Sequence, residues 1–324
     1  MSKIAIIYTG EVRTCETTLP LFKKNVLLND NYHVFAVIQS TNNNEYYENM
    51  LKINIGENLK SFSLFDKNND YWLDLREKLI NNIHIDEGWL NYLKNSGSMI
   101  EYYQMYLAYK NIEVFEKTND ISYNYVLRVR TDTVLKDIIN FEYQNYDKEY
   151  IKYLLYKIKE KMNYECIHSI ETITMFMNTI YNEKRINYNN FCFENIPHSE
   201  EFKKLLSNEN YNENAFIIKI QEYLNNGNYL IALRVNNVYF MKRELMNKIH
   251  ILGITYGKYK LDNEKYWFNA ESQLKQICVE NNIDFYSSCC DLEDKSLYEY
   301  NNNNYFDNNN NLIDNNFSFF VKRY

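Results

Sequence analysis

Glycine and proline are scarce in this chain, 7 and 2 among 324 residues. Neither the three-glycine dinucleotide fingerprint nor the Gly-Lys-Ser/Thr of a P-loop occurs, so phosphate recognition through a glycine cradle of those kinds is excluded. Basic charge is also in short supply. A formal net charge of −7 argues against a broad nucleic-acid or anionic-membrane surface, which needs a basic patch or stripe. No apolar run approaches the ~18 residues that read as a bilayer span, and strand-like sequence begins at once where a signal peptide would carry its apolar core. The expectation is a cytoplasmic protein, or one confined to a cytoplasmic assembly site, with no nucleic-acid partner.

Metal-binding and nucleophile motifs are missing as well. The six cysteines (Cys15, Cys166, Cys192, Cys278, Cys289, Cys290) show no Cys-x-x-Cys spacing, and the adjacent pair Cys289-Cys290 is poorly placed for a structural bridge or for two zinc ligands. They read as reduced, mostly buried thiols. The five histidines lie far apart, with no His-x-x-x-His helix face, and no Ser or Cys stands in a recognisable nucleophile motif.

What the chain has in quantity is apolar and aromatic residues: 45% hydrophobic, with 32 tyrosines, and 24% charged, the balance of a folded globular protein. Frequent Asn, Ile, Lys and Tyr fit an AT-rich coding sequence, so clusters of Asn carry no functional weight by themselves. The run "KIAIIY" (3–8) reads as a strand closed by Thr9-Gly10, and a helix follows over 17–28 with Pro20 in its first turn. "YHVFAVIQS" (32–40) reads as a second strand. Together they predict a strand–helix–strand unit with parallel pairing, which places the Gly10 turn at the carboxyl edge of the sheet.

Helical spacing recurs in "EYYENMLKI" and "YWLDLREKLI", with a short strand "LKSFSLF" between them, and again over 98–117. "DKEYIKYLLYKIKEKM", "SEEFKKLL" and "ENAFIIKIQEYL" make the section over 146–228 mainly helical. "YLIALRVNNVYFM" reads as a strand or hairpin pair, "KRELMNKIH" and "AESQLKQICVEN" as helices, and "IDFYS" as a strand. The segment over 298–316 is Asn-rich and of low complexity, followed by "FSFFVK".

The stretch "YNYVLRVRTDTVL" (123–135) is a strand by its Tyr, Val and Leu content, yet it sets Arg128, Arg130 and Asp132 at alternate positions. In one continuous strand those three side chains share a face. Three charges do not suit an apolar core, so that face is expected to meet solvent, as surface ion pairs worth about 0–1 kcal/mol, or to end in a cleft. In a cleft, guanidinium groups contact phosphate and the carboxylate holds a divalent cation against a diphosphate. Such a site suits a reaction whose leaving group is a nucleoside diphosphate. Carboxyl ends of strands in open α/β sheets are where ligands collect. In "YTGEVRT", Gly10 allows a turn at positive φ, and Arg13 is long enough to reach a phosphate or a base.

The stretches "IAIIYTGEVRTCETTLPLFKKNVL" with "HVFAVIQST", "SMIEYYQMYLAYKNIEVFEK" leading into "YNYVLRVRTDTVL", "VNNVYFMKRELMNKI" and "NAESQLKQICVENNI" span most of the chain. In that order they resemble the GT-A-type glycosyltransferase-like proteins of large DNA viruses and of bacterial surface-polysaccharide clusters, including the WavE-type lipopolysaccharide-synthesis family. The resemblance implies a GT-A-like, Rossmann-like α/β fold with a mixed, mostly parallel sheet flanked by helices. It implies a nucleotide-sugar-binding half over 1–145, a mainly helical insertion or cap over 146–228, an acceptor-side remainder of the same domain over 229–297, and an Asn-rich C-terminal segment over 298–324.

The activity implied is transfer of a sugar from a UDP- or GDP-sugar to a glycan or glycoprotein acceptor, assisted by Mn2+ or Mg2+. The alternatives are an inactive nucleotide- or sugar-binding scaffold and a nucleotidyltransferase. The residues implied are Thr9, Gly10, Arg13, Arg128 and Arg130 at the nucleotide, and Asp132 at the metal. The usual Asp-x-Asp motif is altered, since Arg130 stands in place of its first Asp. Glu271, in "FNAESQL", is implied as the base that takes the acceptor proton, against the plainer role of a carboxylate at a helix start. Gln104, Arg234, Asn236 and the aromatic run Tyr266-Trp267-Phe268 are secondary candidates.

Overall fold

The computed structural model describes residues 3–12, 15–27, 29–39, 44–81, 97–135, 146–161, 191–195, 212–233, 238–253, 274, 277–288 and 319–321. Its chain opens with β1 (Ile4–Glu11), α1 (Cys15–Val26), β2 (Tyr32–Gln39), α2 (Asn44–Ile55), β3 (Leu59–Phe65) and α3 (Asp70–Asn81). Then come α4 (Gly97–Asn119), β4 (Tyr125–Arg130), β5 (Thr133–Leu135), α5 (Lys148–Lys161) and β6 (Phe191–Asn195). The remainder is α6 (Glu213–Asn226), β7 (Tyr229–Leu233), β8 (Val238–Lys242), α7 (Arg243–Gly253), β9 (Asp284–Ser288) and β10 (Phe319–Val321).

Eight strands form one sheet in the order β3-β2-β1-β4-β8-β7-β9-β6. β3, β2, β1 and β4 are parallel neighbours, β7 and β9 pair in parallel, and β8 and β6 run the other way. The fold is therefore a mixed, mostly parallel α/β sheet with helices on both faces. "YLIALRVNNVYFM" becomes the antiparallel pair β7–β8. β6 is a strand inside a section whose periodicity predicted helices, and "SEEFKKLL" lies outside the described residues.

Alternation along the strands assigns each face its core. Ile4, Ile6 and Tyr8 of β1 pack with Leu127 and Val129 of β4 against α1, α2, α5 and α6. Ala5 and Ile7 join Val126, Tyr239 and Met241 beneath α3, α4 and α7. Strands apolar on both faces are what a sheet covered by helices on both sides requires.

Two local differences from the sequence reading matter for the site. α1 begins at Cys15, two residues earlier than its periodicity suggests, so Pro20 lies inside the helix and not in its first turn. The 123–135 stretch is not one strand: β4 ends at Arg130, Thr131 and Asp132 form a turn, and β5 leaves for a separate two-stranded sheet with β10. The period-2 argument therefore stops at Arg130 and does not place Asp132 on the face of Arg128.

Candidate functional site

From β1 the chain moves outward to β2 and β3, whereas β4 lies on the other side of β1. That reversal is a topological switch point, and the crevice beyond the strand ends there is where open α/β sheets take ligands. Thr9 and Arg130 are register partners at that edge, so the turn after β1 and the turn after β4 are side by side.

Hydrogen bonds weld the two turns together. Thr131 N donates to Thr9 O (3.0 Å), Thr131 Oγ1 donates to Glu11 O (2.7 Å), and Thr18 Oγ1 in α1 donates to Thr131 O (2.5 Å). Gly10 sits between them at φ +142°, and a Cβ there would collide with Thr131 Oγ1. Glycine is required for two reasons at once, backbone conformation and close approach. Thr18 and Thr131 are missed by the sequence reading. Thr131 lies inside the quoted Arg-Thr-Asp triplet, whereas nothing in the sequence singles out Thr18.

Arg130 and Asp132 form a forked pair, Nε to Oδ1 at 2.9 Å and Nη2 to Oδ2 at 2.7 Å. The Arg130 side chain is 21% exposed and that of Asp132 is 6% exposed. The guanidinium is the more accessible partner.

Arg128 corrects the expectation that no charge on this face would be buried. It is fully enclosed under α4, donates from Nη2 to Glu101 Oε1 at 2.5 Å, and lies over the Tyr239 ring with 5.7 Å from Cζ to the centroid. Glu101, 27 residues earlier, makes the burial tolerable by supplying the opposite charge. Arg128 Nε and Nη1, Thr9 Oγ1 and Gln104 Nε2 are buried and have no hydrogen-bond partner among the described residues. Thr9 stands level with Arg130 at the edge, and Arg128 lies two residues further in on the same face.

Burial pushes the thiol of Cys15, the first residue of α1, up to about 12, and the negative charge of Asp132 adds to the effect. Such a thiol stays protonated and is not a nucleophile. Cys278 is likewise buried, free and shifted upward by burial. Of the other predicted residues, Arg13, Arg234, Asn236, the 266–268 aromatics and Glu271 lie outside the described residues.

Among the described residues the donor set does not fit Mn2+ or Mg2+. One carboxylate can anchor a cation otherwise held by phosphate and water, but both Asp132 oxygens accept from Arg130. Among the described residues no group of three or more His, Cys, Asp or Glu side chains is placed to hold a metal ion. No described helix is long and apolar enough to cross a membrane.

No protein-family model matches the chain, and no curated protein matches it. Among solved structures the chain is similar to the mannosyltransferase Ktr4p of S. cerevisiae, at 12% identity and a TM-score of 0.30 over 80% of this chain. It covers 63% of the length of that yeast enzyme. It is similar too to core-mannan synthase A (CmsA/Ktr4) of Aspergillus fumigatus in its Mn/GDP form, at 10% identity and a TM-score of 0.31, over 86% of this chain and 70% of the other. Superposition this loose adds nothing to the argument from the site.

Proposed function

We propose that the chain is a glycosyltransferase that moves a sugar from a nucleoside-diphosphate donor to a glycan or glycoprotein acceptor. The observation that carries this reading is the meeting of the Gly10 turn and the Arg130–Asp132 turn at the switch point, bonded to each other through Thr131. The guanidinium at that edge offers charge-assisted donors to phosphate oxygens. α1 begins at the same place, its first turn tied to Thr131 by Thr18, and a helix N-terminus favours an anion.

In the transfer, the acceptor oxygen bonds to the anomeric carbon while the bond from that carbon to the diphosphate oxygen breaks, its electron pair leaving with the phosphate. The acceptor proton goes to a base, for which Glu271 is the candidate. Gly10 lets the turn after β1 pack directly against Thr131, and Thr9 and Arg128 are buried polar groups on the same sheet face as Arg130. The narrower kinship to WavE-type and viral proteins rests on the sequence stretches quoted above.

The test is a thermal-shift series of the full chain with UDP, GDP and their sugars, with and without Mn2+, followed by assay of donor hydrolysis. Stabilisation should rise as RT ln(1 + [L]/Kd) for one base over the other. Release of nucleoside diphosphate from one sugar donor is the expected activity. A flat response to every nucleotide overturns the reading, and binding without turnover of any donor or acceptor favours the inactive scaffold.

A further inference from the structure

We propose that this site meets the diphosphate of its ligand with the Arg130 guanidinium in place of a divalent cation, and that Asp132 is the positioning residue that aims it. The inference rests on the nucleotide-donor reading above and makes it more specific. A carboxylate that serves a metal must present oxygen lone pairs to the crevice. Asp132 turns both oxygens onto Nε and Nη2 of Arg130 and is the more enclosed of the two, 6% exposed against 21%. Of the two, the cation is the group with more of its surface open at this edge.

The fork is held from behind by backbone. The turn that carries Asp132 is fixed at Thr131 by the bonds to Thr9 O and Glu11 O and by the bond from Thr18 Oγ1. A side-on carboxylate engages one edge of the planar guanidinium and sets the direction of the group as a whole. For a dication to use Asp132, it would have to take the lone pairs that the fork leaves, on a carboxylate only 6% exposed and beside a guanidinium that remains charged at every working pH. The deeper arginine does not relieve this conflict, because Arg128 is already matched by Glu101 under α4.

A guanidinium fulfils the same electrostatic need as the metal. When the bond to the anomeric carbon breaks, negative charge gathers on the diphosphate oxygen, and a fixed cation stabilises it with no proton transferred. The altered motif then has a chemical meaning: the residue in place of the first Asp provides the positive charge, and the surviving Asp holds it.

Titration calorimetry of the full chain against UDP and GDP, in EDTA and again with Mn2+ or Mg2+, decides the matter. The expected result is one nucleotide bound with the same Kd, within about twofold, in both conditions. Arg130→Gln should weaken it by about tenfold or more, the loss of a charge-assisted contact to phosphate. Arg130→Lys should recover only part, because an ammonium lacks the planar fork. Asp132→Asn should weaken binding less than Arg130→Gln and leave it insensitive to metal, and Asp132→Glu should restore part of it. Circular dichroism of each variant separates these effects from misfolding.

Binding that appears only with Mn2+ or Mg2+, is lost in Asp132→Asn and survives in Arg130→Gln overturns the inference and leaves the nucleotide reading standing. Absence of binding to either nucleotide in every condition removes the nucleotide reading itself, and the inference with it.

Discussion

The amino end of β4 and its carboxyl end each carry an arginine forked onto a carboxylate. At the amino end Arg243 of α7 donates Nε to Glu116 Oε1 (3.2 Å) and Nη2 to Glu116 Oε2 (2.8 Å), and Glu116 Oε1 also accepts from Tyr123 N (3.1 Å). The two side chains are 127 residues apart in sequence, and the fork fastens α4 and α7 to the start of the central strand. At the carboxyl end Arg130 and Asp132 are two residues apart, so their fork closes within one turn. The same chemistry ties distant elements together in one place and stays within one turn in the other. Sequence separation between the partners tells the two uses apart, since both pairs are similarly enclosed.

Between these ends lies the pair whose loss should cost most. Glu101→Leu leaves Arg128 charged, buried and without a carboxylate, and should destabilise the fold by about 3–5 kcal/mol, whereas Glu101→Leu combined with Arg128→Met should recover most of that. Urea unfolding of the single and double variants checks both. A single variant as stable as the parent would show that Arg128 is not enclosed as described. At the amino end Glu116→Gln should cost about 1.5–3 kcal/mol, the range for hydrogen bonds to a charged group. The same unfolding measurement reads it.

The amino end should also respond to acid. His33 Nδ1 meets Tyr123 Oη at 2.6 Å, and the ring lies edge-on to Phe115. Burial first, then the charges of Lys60 and Lys3, lower its pKa to about 4 from an ordinary 6.5. A group lowered in this way favours the neutral form in the fold. Its contribution is complete above pH ~6.5 and is lost as the pH falls toward 4, where the folded protein must take up the proton. The Tm should decline over that window, and His33→Gln should flatten the decline relative to the parent.

The smallest effect on stability belongs to the site. Arg130→Gln or Asp132→Asn should change unfolding free energy by less than about 1 kcal/mol, as for a pair only two residues apart in the chain, while weakening nucleotide binding if the proposal holds. A loss comparable to that of Glu116→Gln would mean that the carboxyl-end fork ties the fold together as well, and would erase the contrast.

Much of the architecture is legible in the residues. "LKSFSLF" forms β3 over its full length, and the first two strands pair in parallel with Gly10 at their carboxyl edge. The break at Asp132 is hidden because Thr131 and Thr133 are β-branched and prolong the strand pattern across a turn. Burial of Arg128 is hidden for another reason: its counter-charge lies on a helix whose own periodicity gives no hint of which strand residue it faces. Tertiary partners decide both points, and sequence spacing does not contain them. Thr18 is lost in the same way, since its task is to bond a carbonyl 113 positions ahead.

β5 has a consequence for how the protein is made. It follows Asp132 directly, and its partner is β10, with Thr133 opposite Val321 and Leu135 opposite Phe319. During synthesis the rest of this corner can assemble early, since Thr9, Glu11, Thr18 and Thr131 all emerge in the first half of the chain. Among the described residues, the strand that pairs with the far side of the Asp132 turn is Phe319–Val321, so this side of the corner waits for a segment made more than 180 residues later.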